Sequence, residues 1–312
     1  MNTVPVGNTS GLVHFTDGAP VYAGRHRHDD GHPAHTHSFV EIAVVVAGAA
    51  THSCVTGRRR LTVGDVVLLR SGAWHAYEDS AGLEVFNCCV STELLQHELA
   101  WTREDPLLGH VLWTGPYAMD RRGVLVAHLD PAAMAECLPH LHALNGLRAK
   151  VDGHHRSDVI ARLLLFLSHL ARAIAPQLVE ERGEGPTHPA VVAGMRLLED
   201  RIAHAWTLPD LAEHLHLAPS YLVRLFKATV GLPPMAYLAQ QRAETAARLL
   251  LHTDQAISQI GHEVGWPDAN YFARRFKAHF GLSASEYRRR FAHSAGILRP
   301  RPDGMDLPLL PV

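Results

Sequence analysis

The sequence predicts an α+β chain of two domains: an N-terminal β-barrel followed by helices, then an all-α domain of two helix-turn-helix units joined by a long helix. Three observations carry this expectation. From Phe39 to about Val90, short valine-rich runs are punctuated by glycines, the pattern of a barrel or sandwich. From about Pro131 the apolar spacing turns helical. Between Leu208 and Tyr287 one unit is written twice, as Leu211, Ala212, Tyr221, Leu222, Arg224, Phe226, Lys227, Gly231, Tyr237 and again as Ile260, Gly261, Tyr271, Phe272, Arg274, Phe276, Lys277, Gly281, Tyr287. A repeat of one supersecondary unit is the simplest source of such a match, and 312 residues suit two domains.

The expected boundaries are a barrel with an N-terminal arm over 1–130, a helical dimerisation region over 131–175, a linker over 176–189, the tandem helix-turn-helix domain over 190–292 and a disordered tail over 293–312. The hydrophobic fraction of 47% and charged fraction of 19% describe a soluble globular protein. No apolar run reads as a membrane span, and Met1–Ser10 lacks the order of a signal peptide, so no membrane partner and a cytoplasmic location are expected. Cys54, Cys88, Cys89 and Cys137 form no CxxC pair and read as reduced, buried thiols. The net charge of −2 is unevenly spread: residues 188–293 hold 12 Lys+Arg against 9 Asp+Glu, whereas residues 1–187 hold 15 against 20. The basic part is therefore the repeat, a weak electrostatic footprint of nucleic acid.

In chain order, residues 1–20 suit an arm or a short edge strand, and Arg25–Asp30 is too polar for a core. Val40–Ala47 suits a buried strand, with further strands over Leu61–Val63, Val66–Leu69 and Leu83–Val90. Ala132–Leu147 reads as a helix. Asp158–Ile174 reads as a stronger one, with Val159, Leu163, Phe166, Leu167, Leu170 and Ile174 at helical spacing. Leu164 and Leu165 widen its apolar face, which suits either a dimer contact or packing on the barrel. Glu180–Pro186 is charged and interrupted by Gly and Pro, as a linker is.

Within the barrel, His35, His37 and Glu41 form an HxHxxxE pattern. Residues two apart on a strand share a face, and His75 can complete the set from a neighbouring strand. Imidazoles with one carboxylate suit a divalent zinc, iron, nickel, manganese or copper ion with open positions left over. The alternative is that the same side chains only line a pocket or hydrogen-bond among themselves. Trp74, Tyr77, Val85 and Asn87 are candidate effector-pocket residues, since Val85 and Asn87 alternate along one strand face. The stretch resembles the cupin barrel: His35, His37, Glu41 and Gly48 match its first motif, and Gly64, Asp65, Gly72 and His75 its second. It departs in having Arg70-Ser71 where a proline is usual, and in Gly31 lying close to His35.

In the repeat, Leu208–Leu215 and Ile257–Val264 lead each unit, and a second helix follows a tight turn. Leu222 and Phe226, like Phe272 and Phe276, fall on the inward face. Ser220, Val223, Arg224 and Lys227 in the first copy, and Asn270, Ala273, Arg274 and Lys277 in the second, fall outward. Arginine can grip guanine and asparagine adenine in a bidentate way, and lysine suits phosphate. Met235–His252 joins the copies as one helix. The offset is 49 residues up to Leu217/Trp266 and 50 from Tyr221/Tyr271, so the second turn is one residue longer.

Residues 190–292 resemble the DNA-binding domain of the AraC/XylS family of transcription regulators through Leu211-Ala212, Tyr221-Leu222, Arg224-Leu225-Phe226-Lys227, Ile260-Gly261, Val264-Gly265-Trp266, Phe276-Lys277 and Phe280-Gly281. Ala218 and Pro267 stand where a capping serine is usual. The N-terminal half is most similar to the family's sugar-sensing members, such as the arabinose and rhamnose regulators. The resemblance implies a non-enzymatic activator that binds double-stranded DNA, takes a small, sugar-like effector in a cupin-like domain, dimerises and contacts RNA polymerase. The barrel histidines keep two other readings open: a metal-dependent cupin enzyme carrying a DNA-binding domain, or a regulator whose effector is the metal. A divalent metal is the candidate cofactor in either.

Overall fold

The computed structural model describes residues 20–118, 121–148, 155–181 and 188–295. The expected N-terminal arm and C-terminal tail, and most of the charged linker, lie outside them. Seven antiparallel strands come first: β1 (Val21–His28), β2 (His32–Thr36), β3 (Val40–Cys54), β4 (Gly57–Leu61), β5 (Asp65–Leu69), β6 (Trp74–Val90) and β7 (Val124–His128). They run in the order β1-β6-β3-β5-β7, with β2 added to β6 and β4 to β3. The stretch Arg25–Asp30, expected to lie outside a core, supplies the end of β1. Strand alternation resolves this: Arg25 and Arg27 point out while His26 and His28 turn in.

The long strands β3 and β6 bend together. Their pairing slips between Val45 and Thr51. At the bend Gly48 takes φ +67°, and a Cβ there would sit 2.0 Å from the Gly82 carbonyl oxygen. Beyond the bend, the far end of β3 and the near end of β6 form the floor of the barrel, with Cys54 opposite His75 and His52 opposite Tyr77. Val45, Leu61, Val67, Leu69, Leu83 and Val85 fill its interior.

A short helix α1 (Thr92–Gln96) leads into a compact segment around the buried Trp113 and Tyr117. The helices α2 (Pro131–Arg148) and α3 (Arg156–Ile174) then pack on one another. Arg156–Leu178 is long and apolar enough by composition to cross a membrane, which corrects the expectation that no such stretch exists. Leu163, Phe166, Leu167 and Leu170 nevertheless lie in the protein core, while Leu165 is exposed. All four cysteines are free and buried.

The C-terminal half holds α4 (Pro189–Asp200), α5 (Leu208–His214), α6 (Pro219–Val230), α7 (Pro234–His252), α8 (Ile257–Glu263), α9 (Ala269–Phe280) and α10 (Ala284–Ala295). Two hydrophobic cores join it to the first half. The first helix-turn-helix unit (α5, α6) shares a core with Trp113, Leu112 and α3. The second (α8, α9) shares one with Ala34, Trp74 and Ala76 of the barrel.

The loop from β5 to β6 is wedged between these halves. Arg70 occupies the position where the cupin motif usually has proline, and its use is visible here. Its Nε donates to the Tyr117 hydroxyl at 3.0 Å and its Nη1 to the Leu112 carbonyl at 3.1 Å. Its Nη2 lies 3.6 Å from the Glu244 carboxylate on α7, and the Tyr117 hydroxyl donates to the same carboxylate. Burial works against the charge on Arg70, but Tyr117 and Glu244 beside it raise its pKa overall. Gly72 follows at φ +85°, and a Cβ there would sit 2.9 Å from the Ala247 methyl of α7.

Removing one member of a buried pair strands the other. Glu244→Gln should lower stability by about 3–5 kcal/mol. The double change Arg70→Met with Glu244→Leu should recover most of that loss. Urea unfolding of the full chain followed by far-UV circular dichroism checks both; equal losses in the single and double variants would remove the pair from its assigned role.

Candidate functional site

Two sets of side chains are candidates for function. The first lies inside the barrel. Strand alternation brings His35 from β2, His37 just beyond it, Glu41 from β3 and His75 from β6 to one point. All four are buried. The His37 Nε2 atom lies 2.8 Å from Glu41 Oε2 and 3.2 Å from His75 Nε2, and His75 Nε2 is 3.3 Å from Glu41 Oε2. Candidate ligand atoms of the three histidines all fall within 4.8 Å of one another. The His35 Nδ1 atom is 2.8 Å from the Pro33 carbonyl oxygen, so it carries the proton, and Nε2 is the free lone pair.

This cluster is the centre of a longer array. Ring contacts run from Tyr22 through His26, His28, His32, His35 and His75 to His52 and Tyr77. Burial disfavours the charged form of four of these imidazoles: it lowers His28 and His32 to about 4 and His52 to about 3, and holds His35 well below its ordinary value. Burial would raise the Glu41 carboxyl, but His37 and His75 beside it hold it well below the usual range, so Glu41 is ionised. Several buried polar atoms there have no aligned hydrogen-bond partner: Nδ1 of His37 and His75, Oε2 of Glu41, Nε2 of His52, the Tyr77 hydroxyl and Oδ1 of Asn87. Such atoms usually find a partner in a native interior.

Of the residues expected to line an effector pocket, Tyr77 and Val85 face the barrel interior and Asn87 is half-buried beside them. Trp74 does not. It neighbours His75 along the strand and so points outward, where its Nε1 donates to the Phe280 carbonyl at 2.9 Å. The sequence alone gives His28 and His32 little weight and does not single out His52. Their signal was parity: His52 pairs across from Tyr77, but it lies beyond the Gly48 bend, where alternation loses its register. A cavity of about 600 Å³ reaches the interior at His52, and Arg58, Arg59, Arg121, Arg122, Val124 and Val126 also line it.

The second set lies on α6 and α9. Each helix begins after a tight turn and stops at a left-handed glycine, Gly231 or Gly281. Leu222, Phe226 and Val230 are buried on one, Phe272, Phe276 and Phe280 on the other. Ser220, Arg224, Lys227, Asn270, Ala273, Arg274 and Lys277 are exposed and Val223 is half-buried, so the expected outward faces are outward. Arg224 sits 5.8 Å over the ring of Tyr221, and Arg274 6.0 Å over the ring of Tyr271, at the same repeat position. Both tyrosines are themselves exposed. The turns differ as the offset implied: four residues separate α5 from α6 and five separate α8 from α9. Asp268 caps α9 by accepting from the Tyr271 amide, whereas Ala218 leaves α6 without a side-chain cap.

Comparison with known proteins finds matches to both halves of the chain. A model of an AraC-like ligand binding domain matches residues 18–160, and one of a helix-turn-helix domain matches residues 211–290. The HTH-type transcriptional activator RhaR of Yersinia pestis bv. Antiqua (strain Angola) is 26% identical over 260 residues, covering 83% of this chain and 86% of that protein. The lactose operon transcription activator of Staphylococcus xylosus is 41% identical over 86 residues, covering 28% of this chain and 31% of that one. Among solved structures, ToxT from Vibrio cholerae aligns at a TM-score of 0.53 with 13% identity, over 87% of this chain and 98% of that one, which is a likeness of fold.

The neutral histidines make the barrel acid-sensitive. In the unfolded chain His28 and His32 take up protons around their ordinary value of 6.5; in the folded barrel they do so only near 4. Their contribution to stability is thus complete above about pH 6.5 and declines as pH falls toward about 4. The urea midpoint should drop between about pH 7.5 and 5, and the His28→Gln/His32→Gln variant should show a smaller drop. An identical drop in both would assign the acid sensitivity to other groups.

Proposed function

The chain belongs to the AraC family of transcription regulators, and from that premise we propose that it is a sequence-specific activator that reads DNA with α6 and α9 under the control of a small molecule held in the barrel. The observation that carries this reading is the duplicated pair of exposed Tyr and Arg side chains at the start of α6 and α9. One exposed arginine is an ordinary surface charge. Two at equivalent places on helices that each follow a tight turn are equipped as readers of base edges. Asn270 adds a second base-reading group to α9. Lys227 and Lys277, one turn further along, are placed for phosphate, which adds affinity without sequence choice.

The connector α7 has 19 residues, or about 28 Å of helix. That length suits two readers in adjacent major grooves on one face of DNA, about 34 Å apart. The sign of regulation follows the relatives, which are named as activators, and an activator makes RNA polymerase the expected further partner. The exposed side of α3, with Ala161 and Leu165, supports its assignment to a homodimer contact. A chromosomal DNA target supports a cytoplasmic site of action. No catalytic step is part of the proposal.

The interior chemistry supports a polar, hydroxyl-rich effector of the sugar-like class. Tyr77, Asn87 and His52 present unpartnered polar atoms, and the arginines at the cavity mouth present fork-shaped donors.

Arg224→Ala and Arg274→Ala should each weaken operator binding by about fivefold to about 150-fold, from the loss of about 1–3 kcal/mol per base contact. Lys227→Ala and Lys277→Ala should instead weaken specific and non-specific DNA alike and reduce the salt slope by about one. Fluorescence anisotropy on a footprinted operator checks both. Full affinity in the two arginine variants, or protection of a single major groove per protomer, would remove α6 and α9 as paired readers.

A further inference from the structure

The barrel has an unjoined edge. Among the described strands, β4 pairs with β3 alone and β7 with β5 alone, so these two edges are not bonded to one another. The cavity of about 600 Å³ is lined from both of them, and its volume suits a small organic molecule.

Pairing decides which side chains face that cavity. Residues opposed across an antiparallel pair share a face. Ala50 and Leu61 are opposed and both lie in the barrel interior. His52 and Arg59, two residues further along each strand, are opposed on the same face. Arg58 and Arg60 fall on the outer face. There Arg58 is held by Glu78 at 2.6 Å and Asp79 at 3.5 Å, and Arg60 donates to the Asp79 carbonyl at 2.9 Å. Arg59 meets no carboxylate among the described residues.

Arg121 and Arg122 line the cavity from the start of β7. Nη1 of Arg121 donates to the Gly115 carbonyl at 3.1 Å. Arg122 takes φ +50°, a left-handed backbone that disfavours any side chain. Strained residues of this kind cluster at ligand clamps. With Arg58 at the rim, four arginines surround one cavity, and among the described residues that line it there is no carboxylate. A cleft lined by one sign of charge concentrates the opposite sign. Beneath the arginines, His52 is buried and its Nε2 atom has no hydrogen-bond partner. The ring of Tyr77, whose hydroxyl is also unpartnered, lies 5.6 Å further in.

We propose that this edge of the barrel is an anion subsite, in which Arg59, Arg121 and Arg122 with His52 beneath them take the carboxylate or phosphate group of a small acidic ligand. The ligand is then a sugar acid or a sugar phosphate, and not a neutral sugar. The planar fork of arginine matches either oxyanion in bidentate fashion. The body of the ligand rests on the reading of the barrel as the chamber of a hydroxyl-rich molecule; the anion subsite rests on the arginines alone.

The test titrates full-length protein, without DNA, with inorganic phosphate and separately with malonate, followed by calorimetry. At least one anion should saturate at one site per chain, and the tighter of the two names the source as phosphate or carboxylate. Arg59→Gln, folded by circular dichroism, should weaken that binding by about tenfold or more, the worth of a charge-assisted hydrogen bond. Arg25→Gln, which removes an exposed arginine of β1, should leave it unchanged. Arg122→Gly, which also relieves the left-handed backbone, provides a second reading if Arg59→Gln does not fold. Hydrogen exchange locates the anion: it should slow amides over 51–61 and 121–126. No saturable site for either anion overturns the subsite, as does full affinity in Arg59→Gln and Arg122→Gly. Slowing confined to 219–230 and 269–280 also overturns it, since the anion would then sit on α6 and α9. Binding of neutral pentoses or hexoses by a protein that takes neither anion overturns the subsite and leaves the sugar-like reading standing. An anion bound at the arginines with no effect on operator affinity supports the subsite, and its failure falls on the regulatory reading instead.

Discussion

The contact between Arg70 and Glu244 determines how the two halves of the chain meet. A guanidinium at the end of β5 is buried with a carboxylate from the middle of the connector helix, and the Tyr117 hydroxyl bridges them. Burial pushes the Glu244 carboxyl up against the pull of Arg70. Desolvating two charges costs several kcal/mol for each, so the pair is poor evidence for stability. Its value is directional. A hydrophobic surface can slide, whereas a guanidinium with three different partners has one pose. That pose seats Gly72 against Ala247, where a side chain on Gly72 would not fit, and brings Trp74 and Thr36 to the second helix-turn-helix unit.

With the loop in place, alternation along β2 and β6 does the rest. Each strand is polar on the face that would be solvent-exposed in an ordinary sheet, but here both faces are covered. The inward face carries imidazoles that meet the Glu41 carboxylate of β3, and the outward face carries groups that bind α9 and α10. A change on one face cannot be absorbed by the other, because adjacent residues of an extended chain share one rigid backbone.

Much of this was legible in the sequence because it is local. The repeat is visible since both copies bury the same helical stripe, and the longer second turn follows from the offset alone. The backbone fits: His216 takes a left-handed φ of 53° in the first turn where Gly265 takes 83° in the second. The four cluster residues were likewise readable from strand parity and motif spacing. Trp74 was misplaced for want of one fact, which side of β6 faces inward at its start. That fact is set by pairing with β2 and β3, not by any pattern within β6. His52 was lost because parity restarts after the Gly48 bend. Arg70 looked like a defect in a motif, since its partner Glu244 lies 174 positions away and no periodicity links them.

The two proposed readers are attached to different parts of the sensor, and this shapes what any signal can do. The first is built into a core with Trp113, Leu112 and α3, and Glu199 of α4 anchors both Arg103 and Tyr237. The second is built onto the barrel strands around Trp74. An event inside the barrel reaches the second reader directly, whereas an event at the α2–α3 helices reaches the first. A ligand moves such an equilibrium only by its differential affinity for the two seatings. The strands that hold the cluster also hold α9 and α10, so that differential arises within bonded neighbours and needs no long path. Both readers are tied to one rigid connector, and a shift in the seat of α9 is therefore a shift in its angle to α6. On DNA that angle decides whether one protomer can occupy two adjacent grooves at once.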